Sequence, residues 1–280
     1  MSHPVRVAAV AANFGPDLER GLAKALGIVA EARASRTDLL VLPHGTLGGY
    51  LPDLVDIDSA QVPPALAADD PVFELLRQAC GPLTVCLGYT EVEEVHGTPV
   101  QHPAAVCLSG DGVLGRHRKV HLPPGEAELY AAGDRLAAFD TPVGRLGMLI
   151  DFDKTFPEAA RTLALQGAQA IACLSAWPAS VTDRASRLPQ DRQSRLFDLY
   201  DCARAAENQV VWISSNQTGM HGSLRFLGQA KVVGPGGDVL ARTGSKGGLA
   251  AVEVDVEAEV ARARRTLHHL DERRSDVYET

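Results

Sequence analysis

Short, continuously apolar runs alternate with stretches of helical periodicity along most of the chain. Val5 to Ala12 is the first such run and suits a central strand. Pro16-Asp17 follows, and apolar residues at Leu18, Leu22, Ala25, Leu26 and Val29 then share one helical face. Asp38 to Pro43 reads as the next strand. The same reading fits Leu83 to Tyr89, Ala104 to Leu108, Leu146 to Ile150, Ala170 to Leu174, Val210 to Ser214, Ala230 to Val233 and Leu249 to Val254. Helical patterns fall at Val72 to Ala79, Phe156 to Gln166 and Arg192 to Asn208. Strands that are apolar at every position need cover on both faces, and their alternation with helices predicts α/β layering rather than a β-sandwich. Ser109-Gly-Asp-Gly112 and Gly234-Pro-Gly-Gly-Asp238 have the composition of hairpin loops, so the sheets are expected to mix parallel and antiparallel pairs.

Composition narrows the picture. With 280 residues, 45% of them apolar, and no repeat or polar tract, the chain is expected to form a single domain over residues 1–280. A formal charge of −8 argues against partnership with nucleic acid or an anionic membrane, which require clustered Lys and Arg. A small neutral or cationic partner is easier to accommodate. The N-terminal Met-Ser-His-Pro-Val-Arg lacks the basic and apolar pattern of a signal peptide, and no apolar run is long enough to span a bilayer, so a cytoplasmic location is expected. Cys80, Cys86, Cys107, Cys173 and Cys202 are scattered without metal-type spacing and read as free thiols, most of them in apolar segments.

The chemistry concentrates at Gly144-Arg-Leu-Gly-Met-Leu-Ile150 followed by Asp151-Phe-Asp-Lys-Thr-Phe-Pro157, which reads as a buried strand, a tight turn and a helix opened by proline. This segment resembles the nucleophile elbow of the nitrilase, or carbon-nitrogen hydrolase, superfamily, with Asp151 at the position of that family's attacking cysteine. Three further segments extend the resemblance. Leu40-Val-Leu-Pro-His-Gly-Thr-Leu-Gly-Gly-Tyr50 is similar to the stretch carrying the catalytic glutamate and has His44 in its place. Gly115-Arg-His-Arg-Lys-Val-His-Leu122 is similar to the lysine segment, with Lys119 retained, and Pro123-Pro-Gly-Glu-Ala-Glu-Leu-Tyr130 places Glu126 at the second glutamate. Leu174 to Pro178, Ala203 to Gln209, Ser215 to Gly219 and Asp255 to Tyr278 agree as well. The resemblance implies a four-layer αββα sandwich and a homodimer, with the tail 255–280 at its interface. Trp177 and Pro178 match a family segment that shapes the substrate pocket, and Tyr50, Glu128, Tyr130, Phe152 and Asp153 are expected to line its mouth.

In the family mechanism a glutamate takes the thiol proton, the thiolate adds to the C–N carbon, and the lysine stabilises the developing charge. A thiol suits this because it ionises near neutrality and is strongly nucleophilic. A carboxylate is a poor nucleophile toward an amide, and its acyl product would be a reactive mixed anhydride. The expectation is therefore non-covalent acid-base chemistry on a small nitrogen-containing metabolite, with His44 and Asp151 as base and orienting carboxylate and Lys119 as the cation. The charge sum supports a coordinated exchange: with neutral His44, one carboxylate has in effect moved from the first position to the third. The competing expectation is a catalytically inactive scaffold or ligand-binding protein. A third is amidase chemistry through a relocated thiol, with Cys173 the candidate. No cofactor is expected. No metal is expected either: His44, Glu126 and Asp151 are acceptable ligand types, but the ammonium of Lys119 in the same pocket repels a cation.

Overall fold

The computed structural model describes residues 3–58 and 61–278. The first half of the chain runs β1 (Val5–Ala12), α1 (Leu18–Ala34), β2 (Leu39–Val41), β3 (Ala65–Leu66), α2 (Pro71–Cys80), β4 (Thr84–Val95), β5 (Thr98–Ser109), β6 (Gly112–Arg118) and α3 (Pro124–Ala127). The second half contributes β7 (Phe139–Thr141), β8 (Gly144–Ile150), α4 (Pro157–Leu165), β9 (Ala170–Leu174), α5 (Arg192–Asn208) and β10 (Val211–Ser214). It closes with β11 (Asn216–His221), β12 (Leu224–Leu227), β13 (Lys231–Val233), β14 (Val239–Arg242), β15 (Gly248–Val254) and α6 (Val256–Ala263).

Two mixed sheets result. One follows the order β12-β11-β1-β2-β4-β5-β6, with β15 also paired to β1, and the other follows β14-β13-β10-β9-β8-β7. Their alternating side chains sort into three apolar layers, as the twofold pleat requires. Val7, Ala9, Leu39, Val41 and Cys86 of the first sheet meet Met148, Ile150, Ala172, Val211 and Ile213 of the second. The outward residues Ala8, Val10, Leu40, Val85 and Leu87 pack under α1 and α2, and Leu149, Ile171, Cys173 and Trp212 pack under α4 and α5. The architecture is thus helix, sheet, sheet, helix. Each fully buried aliphatic side chain contributes roughly 1.5–3 kcal/mol relative to exposure, so these three layers supply the main driving force.

The helices begin where local chemistry allows. Asp17, Asp70 and Asp191 cap α1, α2 and α5 by accepting backbone N–H groups, and proline opens α2 and α4. Both hairpins read from the sequence are present, joining β5 to β6 and β13 to β14. A further one between β4 and β5 turns at His96 and Gly97, both with positive φ. Among the described residues, no helix is long and apolar enough to cross a membrane.

Parallel pairing fixes where the polar residues gather. β1, β2 and β4 run parallel in one sheet, and β8, β9 and β10 do so in the other. His44 lies just beyond the C-terminal end of β2, Asp151 immediately after β8, and Ala176 and Trp177 just beyond β9. The carboxyl ends of parallel strands are the usual place for ligands in α/β sheets.

Candidate functional site

Each polar residue is held by the element that delivers it. After β2 the chain stays against β4: Leu42 N–H donates to Cys86 at 2.8 Å and Leu47 N–H to Gly88 at 3.2 Å. Gly88 is required by that close approach, since a methyl group there would lie 2.6 Å from Cα of His44. The carbonyl of His44 accepts from the Gln217 side chain at 2.9 Å, tying the loop to β11. Lys119 directly follows β6, its N–H donating to Pro103 at 2.8 Å. Asp151 has φ of 42°, a left-handed conformation uncommon outside glycine though aspartate is among the residues that adopt it most readily, and it starts the 3-10 turn Asp151–Thr155.

Asp153 locks that turn in place. One of its oxygens accepts from the N–H groups of Val120 at 3.1 Å and His121 at 2.9 Å and from the His121 ring at 2.9 Å. The other accepts from Ile150 N–H at 3.0 Å and the His117 ring at 2.9 Å. The turn carrying Asp151 is thereby fastened to the segment carrying Lys119. Asp153 is fully buried and does not stand at the pocket mouth as expected.

The four residues singled out in the sequence converge. His44 Nδ1 lies 2.5 Å from Oδ2 of Asp151. Lys119 Nζ donates to both oxygens of Glu126, at 2.7 and 2.6 Å, and lies 3.4 Å from the same Oδ2 of Asp151. The Tyr50 hydroxyl donates to Glu126 Oε1 at 2.5 Å, and the Ala176 N–H donates to Oδ1 of Asp151. His44, Lys119, Glu126 and Asp151 are all buried.

Electrostatics follow from this packing. Burial pushes the Asp151 carboxyl up, but Lys119 and His44, with the Ala176 N–H, outweigh it and hold the group below the usual carboxylate range. Burial disfavours the Lys119 ammonium, yet Glu126 and Asp151 together raise its affinity for the proton above normal. Burial and then the adjacent carboxylates raise the Tyr50 hydroxyl well above its ordinary value, so it stays a donor. With Asp151 ionised and accepting from Nδ1, a neutral His44 carries its proton on Nδ1 and presents Nε2 as a lone pair.

A cavity of about 200 Å³ opens beside this group. Tyr50, Phe152 and Trp177 line it together with Lys119 and Asp151, whereas His44 and Glu126 are not part of its lining. Glu128 does not line it either: it is exposed at the end of α3, because positions two apart on a helical turn point in different directions. Tyr130 is buried in an apolar cluster with Tyr50, Leu51 and Ala176 rather than at the cavity surface. Cys173 packs in the layer beneath α4 and α5, away from the cavity lining, and burial pushes its thiol up to about 12.

Sequence reasoning missed several contributors. The Ala176 N–H that anchors Asp151 belongs to the backbone and leaves no side-chain signature. Leu54, Ser180, Val181 and Gln193 also line the cavity. Gln193 Oε1 accepts from the Trp177 indole at 3.0 Å, and Asn216 Oδ1 accepts from Trp177 N–H at 2.7 Å. The segment similarity around Trp177 was the available signal for this wall.

Comparison with known proteins places this geometry in context. The family model for carbon-nitrogen hydrolases matches residues 6–264. An (R)-stereoselective amidase of a Pseudomonas species is 29% identical over 92% of this chain and 87% of its own. The omega-amidase NIT2 of Bos taurus is 27% identical over 98% and 96% respectively. The fold is also that of a mutant amidase from Nesterenkonia sp. AN1, solved with the acetamide moiety of fluoroacetamide added covalently at its active site cysteine. That structure has a TM-score of 0.75 and 22% identity, covering 98% of this chain and 95% of its own.

Proposed function

The chain belongs to the carbon-nitrogen hydrolase family, and from that membership we propose that it is an enzyme acting on a small nitrogen-containing molecule by non-covalent acid-base chemistry. In this reading Asp151 stands where relatives carry the attacking cysteine and His44 where they carry the first glutamate. The observation that carries it is the buried His44–Asp151 contact of 2.5 Å beside the Lys119 ammonium.

The roles follow from which lone pairs are free. Asp151 Oδ1 is engaged by Ala176 N–H, and Oδ2 by His44 and Lys119. A carboxylate so engaged is a weak nucleophile and serves to orient the imidazole. Its partner His44, which is not part of the cavity lining, then offers Nε2 as the general base through one water that it activates or that relays a substrate proton to it. Lys119, which lines the cavity, donates toward oxygen or nitrogen as negative charge develops there. Tyr50 and Glu126 hold that ammonium. Hydrolysis of a C–N bond by activated water, cyclisation, dehydration and isomerisation all use this set of a base, an orienting carboxylate and a cation.

A second reading, a ligand-binding protein without turnover, is favoured by one feature. Lys119, Glu126 and Tyr50 satisfy one another inside the protein, and such a set persists without catalysis because losing one member strands a buried charge. Incubating purified protein with a panel of small amides, ureas and cyclic amides, followed by mass spectrometry of the mixture, separates the readings. The enzyme reading expects turnover by the wild type, none by Asp151→Asn or His44→Ala, and no mass adduct on the protein. An acyl adduct on the wild-type chain overturns the non-covalent reading, and absence of turnover throughout supports the binding protein.

A further inference from the structure

We infer that the molecule held in this cavity is uncharged and carries an apolar tail; this deepens the proposed reading by naming the ligand class of the same site. The argument begins with charge. Lys119 is already bonded to both oxygens of Glu126 and lies against Asp151, so a permanently charged anion would have to compete with two carboxylates for it, whereas charge that develops only during reaction need not displace them. Lys119, Glu126 and Asp151 sum to one negative charge, which a proton on His44 would bring only to zero, so in either state a carboxylate ligand entering here finds no spare counter-ion.

The rest of the lining removes the alternative of a charge at the far end. Away from Lys119 and Asp151 the walls are Leu54, Pro123, Phe152, Trp177, Pro178 and Val181, with Ser180 and Gln193 as the side chains there that bear polar groups. No further Lys, Arg, Asp or Glu lines the cavity among the described residues. A charged tail would be stripped of water against carbon, with no ion to pair with, and that costs several kcal/mol even in favourable cases. The Lys154 ammonium behind the Trp177 ring does not change this, because it is fully buried and bonded to Asp201 at 2.8 Å.

Gln193 adds a direction. Its Oε1 is taken by the Trp177 indole at 3.0 Å, which leaves its amide N–H groups as donors. A neutral acceptor at the tail, such as an ether or carbonyl oxygen, is therefore tolerated. The space, about 200 Å³, is below the roughly 300–1,000 Å³ of pockets for drug-sized ligands and restricts the occupant to a small molecule.

Titration calorimetry near neutral pH with three probes of similar length tests this. Hexanamide ends in a methyl group, 6-amino-6-oxohexanoate in a carboxylate and 6-aminohexanamide in an ammonium. Hexanamide is expected to bind more than about tenfold tighter than either charged probe, a difference of about 1.4 kcal/mol. The preference is expected in both the wild type and His44→Ala. Gln193→Arg places a cation at the tail end and is expected to shift the preference toward the carboxylate probe; Val181→Lys asks the same if the first variant does not fold. A smaller preference in the wild type, no binding of hexanamide at millimolar concentration, or an unchanged preference in a folded cationic variant overturns the inference. Because the measurement reads binding alone, a selective protein that lacks turnover refutes the acid-base proposal and leaves this inference standing.

Discussion

His44 and Asp151 lie 107 positions apart in the chain, yet their side chains meet at 2.5 Å in a buried contact at the strand ends of two different sheets. In the proposed mechanism the carboxylate fixes the tautomer of the neutral imidazole, with the proton on Nδ1 and the lone pair on Nε2. Asp151→Asn breaks that logic: an amide N–H donated to Nδ1 moves the ring proton to Nε2 and removes the base. General acid-base groups contribute typically about 10² to 10⁴ in rate, and the kcat of Asp151→Asn and His44→Ala is expected to fall by that much. Circular dichroism should show the fold intact. Full activity in either variant excludes the assigned pair.

Lys119 and Glu126 are both fully buried, and neither has water to fall back on. Lys119→Met leaves two carboxylates facing each other in the interior. Breaking a buried ion pair by removing one partner costs about 3–5 kcal/mol, and the loss should appear in urea denaturation as a lower midpoint. The double variant Lys119→Met with Glu126→Leu should recover part of that loss, since the stranded carboxylate is gone. If the double variant is less stable than the single one by a full Glu126 effect, the two residues are not coupled.

The layered fold was legible because its strands are apolar on both faces, and α5 was found at Arg192–Asn208 with both its ends as expected. The outer halves of β4 and β5 were not legible. From Glu91 to Val95 the strand carries three glutamates, and Arg118 and His102 pair with Glu91 and Glu93 across the sheet, an arrangement no apolar pattern announces. At the site, His44, Lys119, Glu126 and Asp151 came from segment similarity, and the structure brings them together. Glu128, Tyr130 and Asp153 were also expected at the pocket mouth, but position along the chain says little about the direction of a side chain. The turn of α3 points Glu128 outward, and the hydrogen bonds of Asp153 draw it inward.

Asp153 gives the protein an acid-sensitive joint. Burial pushes its carboxyl up, but the His117 and His121 rings and the backbone N–H groups more than compensate, and the group ends well below the usual carboxylate range. A depressed folded-state pKa contributes stability that is complete above the unfolded value of about 3.9 and is lost as pH falls through the folded value. The wild type should therefore lose unfolding free energy in acid more steeply than Asp153→Asn, which is the less stable protein at neutral pH. Urea midpoints measured from about pH 6 down to about pH 3 read this directly. Parallel curves for the two proteins would refute the role given to Asp153.

Cys173 tests whether any thiol has taken over the chemistry. Its burial pushes the thiol up to about 12, so the reactive thiolate is scarce at neutral pH. Cys202 is half-buried whereas the other four cysteines are buried. Brief treatment of the native protein with iodoacetamide should modify Cys202 before Cys173, as peptide mass spectrometry would show. Activity should survive the treatment, and Cys173→Ala should retain it. Loss of activity in step with labelling of Cys173 would establish thiol chemistry instead.

Beneath the Trp177 wall lies a second buried charge group in which two lysines share one aspartate. Asp201 accepts from Lys154 at 2.8 Å and from the Trp212 indole at 2.9 Å on one oxygen, and from Lys231 at 2.7 Å on the other. The Lys154 ammonium also lies 3.3 Å from the Phe197 ring centroid and 4.9 Å from that of Trp177. Burial makes this lysine easier to deprotonate than usual, although Asp201 opposes the effect. Asp201→Asn strands the Lys154 ammonium, while Lys231 keeps Asp198 at 3.0 Å, and is expected to cost about 3–5 kcal/mol. Lys154→Met removes one of those cations and leaves the Lys231–Asp201 pair at 2.7 Å, so its cost should be smaller. Because Lys154 shares the Asp151–Thr155 turn with Asp151 and touches the ring that walls the cavity, Lys154→Met should still weaken hexanamide binding while the protein remains folded. Equal stability losses in the two variants would contradict the charge argument, and unchanged binding in Lys154→Met would show that the wall holds its position without it.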